Sequence, residues 1–206
     1  MTNQGSKRYF LFFKPYGVLC QFTDGAGRKT LKDFGPFPPD VYSVGRLDLD
    51  SEGLLLLTND NEINHRMTDP RFEHLRSYLV QIEGLPFPES LDRLREGVVI
   101  QGKKTKPADV RLLAEEPELP PRIPPIRFRK NIPTSWIAVT LREGRNRQLR
   151  RMTASVGYPA LRVMRTAIGE LSLGRLRVGE CRRLSDEEVR ELKSELGIYP
   201  SADKTH

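Results

Sequence analysis

The sequence predicts an α+β fold on a central, mostly antiparallel mixed sheet with flanking helices. Two observations predict it. Strand-like patterns outnumber helical ones, and they do not alternate with helices in the strict way that βαβ units require.

The elements follow in order along the chain. Residues 1–8 read as a disordered polar leader. An apolar, aromatic run over 9–13 stops at Lys14-Pro15-Tyr16-Gly17 and resumes at Val18-Leu19-Cys20, which reads as strand, turn, strand. Residues 23–40 form a Gly-, Pro- and Asp-rich loop around a short amphipathic piece near Leu31. Residues 54–58 are a buried strand, entered by Gly53 and left by Asn59-Asp60, and 61–68 can make a short helix before Asp69-Pro70. Over 76–82, Tyr78, Val80 and Ile82 share one face, as in a half-buried strand. Pro88 opens a helix that carries Leu91 and Leu94, and strands are expected at 98–100 and 108–113. Six prolines within 117–133 exclude a regular element there. That loop also holds Arg122, Arg127, Arg129 and Lys130, and is either an RNA contact or a plain crossover. A strand at 136–141, a helix over about 146–156 and short strands at 161–163 and 167–173 come next. The last helix opens on Ser185-Asp186-Glu187-Glu188, a capping box, and sets Val189, Leu192 and Leu196 on one face. Residues 198–206 read as a tail.

The 206 residues suffice for one large domain or two intimate lobes. No apolar stretch is long enough to cross a bilayer, and the first residues lack the apolar region of a secretory signal, so a cytoplasmic protein without membrane contact is expected. The two cysteines and three histidines are dispersed, which leaves no visible ligand set for a metal. Lys plus Arg outnumber Asp plus Glu by 34 to 27, and the resulting +7 favours a polyanionic partner.

Two segments carry chemistry. In Gly45-Arg46-Leu47-Asp48-Leu49-Asp50-Ser51-Glu52-Gly53-Leu54 an acidic, Gly-punctuated loop leads straight into the buried strand. Polar groups at the mouth of such a strand are rigidly held yet open to a cleft, so Asp48 is either a turn residue or a catalytic carboxylate. In Glu143-Gly144-Arg145-Asn146-Arg147-Gln148-Leu149-Arg150-Arg151-Met152, four arginines crowd the start of a helix. Helical spacing sets Arg147 and Arg150 on a common side, with Leu149 and Met152 toward the core. Cations there oppose the helix dipole, so the choice lies between a solvated face and an anionic partner, either phosphate or a buried carboxylate.

In these two segments, with Phe13-Lys14-Pro15-Tyr16-Gly17-Val18 and Tyr78-Leu79-Val80, the chain resembles the pseudouridine synthases of the ribosomal small-subunit synthase A group. The motifs stand in the family's order and span residues 9 to about 185. The resemblance implies a pseudouridine synthase catalytic fold over 9–197, two-lobed with the active site in the cleft. It implies that Asp48 is the catalytic aspartate, that Tyr78 packs on the target base and is a candidate base in sugar deprotonation, and that Arg150 pairs with Asp48. It also implies that Arg46 enters the space left by the flipped nucleotide and that Lys14 contacts RNA, with Arg147 and Gln148 as further substrate contacts. The implied enzyme is a monomer that needs no cofactor and modifies a specific uridine, or very few, in large-subunit (23S) ribosomal RNA. The small N-terminal RNA-binding module (S4-type) of many members is not expected, because only about eight residues precede the first motif.

The residues also admit a non-enzymatic RNA-binding or ribosome-assembly protein, or a synthase acting on 16S or transfer RNA. An assembly protein would leave the acidic Asp48-Leu49-Asp50 loop unexplained. A magnesium-dependent aspartyl-phosphate enzyme would place its aspartates after the apolar strand, and here they precede it.

Overall fold

The computed structural model describes residues 6–126 and 132–199. Eleven strands and four helices are formed among them: β1 (Tyr9–Lys14), β2 (Tyr42–Ser43), β3 (Glu52–Thr58), α1 (Asn61–Thr68), β4 (Arg76–Glu83), α2 (Pro88–Glu96), β5 (Val99–Ile100), β6 (Lys103–Lys104), β7 (Asp109–Leu112), β8 (Thr134–Leu141), α3 (Gln148–Ser155), β9 (Ala160–Ile168), β10 (Leu171–Ser172), β11 (Cys181–Arg183) and α4 (Asp186–Glu195). Nine strands share one sheet in the order β11-β1-β3-β9-β4-β8-β7, with β2 on β3 and β10 on β9, while β5 and β6 pair separately. Every pairing in the large sheet is antiparallel except β3 with β9. The α+β architecture is the one the sequence predicts.

The sheet separates the apolar side chains into three clusters. Leu54, Leu55, Leu56 and Leu57 are all 0% exposed because β3 is covered on both faces. Leu54 and Leu56 join Leu11 with α1 and α4 residues such as Ile63 and Leu192, whereas Leu55 and Leu57 join Phe12, Leu31 and Val41. A continuous leucine run is the sequence form of such a strand. The third cluster lies at the other end, where Val80, Ile82, Ile137 and Val139 meet Leu91, Leu94, Leu149 and Met152 of α2 and α3. Tyr78 touches both this cluster and the one around Phe12.

The two halves of the sheet meet at the short parallel junction, where Glu52 faces Met164 and Gly53 faces Arg165. Two buried arginines of β9 reinforce it. Arg162 forms a fork onto the Glu52 carboxylate at 2.8 and 2.9 Å, and Arg165 donates through Nε to the Leu54 carbonyl at 2.8 Å. Gly53, at φ +110°, lies so close to β9 that a Cβ would stand 2.1 Å from the Arg165 carbonyl oxygen.

Several expectations need correction. Val18-Leu19-Cys20 is not a second strand of a hairpin: only Leu19 bridges, to Thr30, and β1 pairs with β3 and β11 instead. The two strands expected at 161–163 and 167–173 are mainly one, β9, whose continuity was hidden by the charges of Arg162 and Arg165. The arginine helix begins at Gln148, not near 146, because Arg147 takes a left-handed conformation (φ 52°, ψ 36°) and ends the preceding loop. The leader is shorter than expected, since Ser6 and Arg8 already bond to Asn59; residues 1–5 lie outside the described residues. In the expected tail, Ile198 is buried against the α4 cluster, and 200–206 lie outside the described residues. The proline-rich segment forms no helix or strand among its described residues. Arg122 there sits 4.4 Å from the centroid of the Tyr16 ring; Arg127, Arg129 and Lys130 lie outside the described residues. No helix among the described residues is long and apolar enough to cross a membrane.

Candidate active site

The loop before β3 is tied down on both sides. A tight turn closes it, with the Ser51 amide donating to the Asp48 carbonyl at 3.0 Å. From the β1 side, the Gly17 amide donates to the Leu49 carbonyl at 2.8 Å, and the Lys14 ammonium donates to the Ser51 carbonyl at 2.7 Å and the Pro15 carbonyl at 2.9 Å. Lys14 is 0% exposed, so it fastens the loop and cannot reach RNA as expected. Burial pushes its ammonium down to about 8, against the opposing pull of Cys20, Glu52, Asp50 and Asp48.

From the α3 side the fastening point is Asp50. Arg147 forks onto its carboxylate at 2.9 and 2.8 Å, while Arg150 donates to its carbonyl at 2.6 Å and to the Ala160 carbonyl at 3.0 Å. The Arg150 Nε lies 3.1 Å from the same carboxylate but is not aligned for a hydrogen bond. Arg150 was expected to pair with Asp48; the structure pairs it with Asp50. Burial raises the Asp50 carboxyl, yet the Arg147 bonds and the Arg150 charge outweigh this and hold it below the ordinary range. Of the two anions the sequence left open for this helix, the carboxylate is therefore present within the chain. Gln148 is likewise internal: buried, it donates to Glu143 at 2.8 Å and accepts from the Arg145 amide at 2.9 Å, so it shapes the loop before α3 and is not an exposed RNA contact.

These ties leave the Asp48 carboxylate, half-buried, facing a cleft of about 580 Å³. It makes no hydrogen bond or ion pair among the described residues, although its charge acts on Lys14, Arg147 and Arg150. Tyr78 lines the same cleft from β4, beside a register shift at Ser77 and Tyr78. Its partner across to β9 is Arg165, and cross-strand partners project to the same face of a sheet. Arg165 is 3% exposed, and its Nη2 has no hydrogen-bond partner among the described residues. Arg76 also lines the cleft and donates to the carbonyls of Met67 and His74. Burial lowers its pKa, as does Arg165, while Tyr78 opposes the shift. Arg46 is exposed at the rim.

Asp48, Tyr78, Arg46, Arg147, Arg150 and the buried Gln148 thus line one cleft, and Lys14 fastens the loop that carries Asp48. Sequence reasoning missed Arg76 and Arg165. The available signal was an arginine at a core position of a strand: Arg165 is the one charged residue in 163–168, where only a paired or functional cation is tolerated. Six arginines and two carboxylates line the cleft, and a buried guanidinium with one nitrogen unpaired among the described residues favours an anionic or carbonyl-rich ligand such as a nucleotide. No group of three or more His, Cys, Asp or Glu able to hold a metal occurs among the described residues.

The chain is similar to known proteins over most of its length. The family model for RNA pseudouridylate synthase matches residues 8–155. A relative from Xanthomonas axonopodis pv. citri, named ribosomal large subunit pseudouridine synthase E, is 53% identical over 168 residues, covering 81% of this chain and 88% of its own. One of the same name from Vibrio parahaemolyticus is 47% identical over 179 residues, 87% of this chain and 74% of its own. A solved structure titled as a pseudouridylate synthase superposes with a TM-score of 0.77 at 29% identity, covering 93% of this chain and 76% of that one.

Proposed function

The chain belongs to the RNA pseudouridylate synthase family, and from that premise we propose that it isomerises one uridine, or very few, of large-subunit (23S) ribosomal RNA. We place Asp48 as the catalytic carboxylate of a cytoplasmic monomer. The observation that carries this reading is the Asp48 carboxylate itself. It is held by its loop, free of internal partners among the described residues, and set opposite Tyr78 in a cleft rich in arginine.

The reaction breaks a C–N glycosidic bond, turns the uracil and rejoins it through carbon. The target nucleotide must leave its stack to reach a cleft of this kind. Arg46, exposed at the rim, is suited to occupy the gap it leaves. The Tyr78 ring packs against the base, and its hydroxyl is the candidate to take the sugar proton. Asp48 acts as nucleophile at the sugar or as base in an elimination. Arg147 and Arg150 place positive charge beside it while remaining bound to Asp50. The exposed cations add affinity that is salt-sensitive and indifferent to sequence.

The large-subunit substrate is supported by the names of the relatives. The test offers the purified protein 16S, 23S and transfer RNA separately and maps modification by carbodiimide treatment and primer extension. Conversion confined to 23S RNA is the expected result. Conversion confined to 16S or transfer RNA overturns the substrate and leaves the chemistry standing.

A further inference from the structure

Asp50 has no role in the chemistry described so far, yet it is the most heavily engaged side chain of the loop. Its carboxylate takes both terminal nitrogens of Arg147, its carbonyl takes Arg150, and these partners come from 97 and 100 residues away. The loop is thereby fixed at three successive residues: Leu49 by Gly17, Asp50 by the two arginines, and Ser51 by Lys14. Asp48, at the head of the turn, is left with its carboxylate free among the described residues.

We infer that Asp50 is a positioning residue, a clamp that docks the α3 arginines onto the loop and so sets the direction in which the Asp48 carboxylate points. The placement rests on three features. The fork with Arg147 is bidentate, which fixes orientation as well as distance. Arg147 is in a left-handed backbone conformation that a non-glycine residue keeps only when its surroundings hold it, and its fork to Asp50 is the side-chain contact that does so. Arg150 links the Asp50 carbonyl to the Ala160 carbonyl at the start of β9, so the clamp is continuous with the sheet junction under the cleft. Asp48 and Asp50 then divide the work of one short acidic loop. The first faces the reacting nucleotide, and the second neutralises and orders the cations that would otherwise repel one another.

The inference rests on the proposed role of Asp48, and its test separates the two. Asp50→Asn keeps the shape and the backbone carbonyl but removes the charge and one acceptor of the fork. Arg147→Lys is the companion variant, which keeps the cation and removes the fork. Amide hydrogen exchange at Ser51 and Gly17 reports the loop without any substrate. Single-turnover conversion of 23S RNA under excess enzyme reports chemistry, and filter binding reports affinity. In Asp50→Asn we expect the two amides to exchange at least about tenfold faster. The conversion rate should fall about 10²-fold, as small misplacements of a reacting group do, with RNA affinity within about threefold of wild type. Arg147→Lys should change exchange and rate in the same direction, by less. Unchanged amide exchange overturns the clamp. Faster exchange with a wild-type rate overturns its part in positioning Asp48, and a loss of affinity as large as the loss of rate assigns Asp50 to RNA binding instead. A wild-type protein that converts no RNA, with exchange accelerated in Asp50→Asn, leaves the clamp standing and removes the substrate reading.

Discussion

Replacing Gly53 with Ala tests the sheet junction on which the active-site loop is mounted. Gly53 holds φ +110°, and an added Cβ would lie 2.1 Å from the Arg165 carbonyl oxygen, 2.6 Å from its nitrogen and 2.9 Å from its carbonyl carbon. The neighbour that must yield is backbone, and it cannot swing aside as a long side chain would. It is further held by the Arg165 bond to the Leu54 carbonyl and by the Arg162 fork to Glu52. Backbone strain for a side chain at such a φ costs about 1–3 kcal/mol, and overfilling a closed space costs about 1–3 kcal/mol more. A loss of about 3–5 kcal/mol is expected, a large fraction of the ~5–15 kcal/mol that a native domain holds. Urea unfolding followed by Trp136 fluorescence and circular dichroism should show the midpoint falling by about 1–2 M. Gly17→Ala is the control, because Gly17 has φ +75° but nothing within 4 Å of an added Cβ, so it carries only the strain. If Gly53→Ala destabilises no more than Gly17→Ala, the close approach of β3 and β9 does not have the role given to it here.

Three further outcomes are expected. Tyr78→Phe keeps the ring that packs on the base, so RNA affinity should hold while single-turnover conversion falls ~10²–10⁴-fold if the hydroxyl moves the sugar proton; an unchanged rate would reduce Tyr78 to packing. Arg150→Ala removes the charged bonds to the Asp50 and Ala160 carbonyls and should lower stability by about 2–4 kcal/mol as well as slow turnover, an expectation that a normal unfolding curve would contradict. Lys14 gives a pH dependence: its buried ammonium loses its proton near 8, whereas in the unfolded chain it keeps it to about 10.5. Between those values the unfolded chain binds more protons, so stability rises with pH. Wild type should gain up to about 3 kcal/mol on Lys14→Met between pH 7 and 10.5, and a difference that is flat or falls over that range would show that the ammonium is not desolvated.

Much of the fold was legible because its signals are local. The leucine run of β3, the alternation of Tyr78, Val80 and Ile82 in β4, Pro88 at the head of α2 and the Ser185 capping box of α4 each state their element in a few residues. What misled was charge at buried positions and pairing at long range. Arg162 and Arg165 broke the apolar pattern of β9, although Arg162 is paired with Glu52 and Arg165 is bonded to the Leu54 carbonyl. The partner of β1 lies about forty residues on, in β3, and no turn signal near Gly17 could reveal it. β2, β6 and β11 are only two or three residues long, too short to show a period.

The candidate site divides in the same way. Asp48, Tyr78 and the arginine helix stand in contiguous motifs, so the resemblance located them. Which arginine meets which aspartate is decided by how β3, α3 and β9 pack, and Asp50 took the partner expected for Asp48. Lys14 and Gln148 were expected to contact the substrate because they stand in the motifs that carry the resemblance. Both are buried, because main-chain carbonyls and Glu143 supply the bonds they need. Arg165 was missed because it lies outside the motifs that carry the resemblance, and the pairing of β9 with β4 is what brings it beside Tyr78.

The central claim is that the Asp48 carboxylate performs the isomerisation. It is tested most directly by release of tritium from 23S RNA transcribed with uridine labelled at C5, comparing wild type with Asp48→Asn at matched folding and RNA affinity. Asn keeps the shape of the side chain and removes its charge, so we expect wild type to release one equivalent per modified site and Asp48→Asn to release none above the enzyme-free control. Release by Asp48→Asn within about tenfold of the wild-type rate would contradict the assignment.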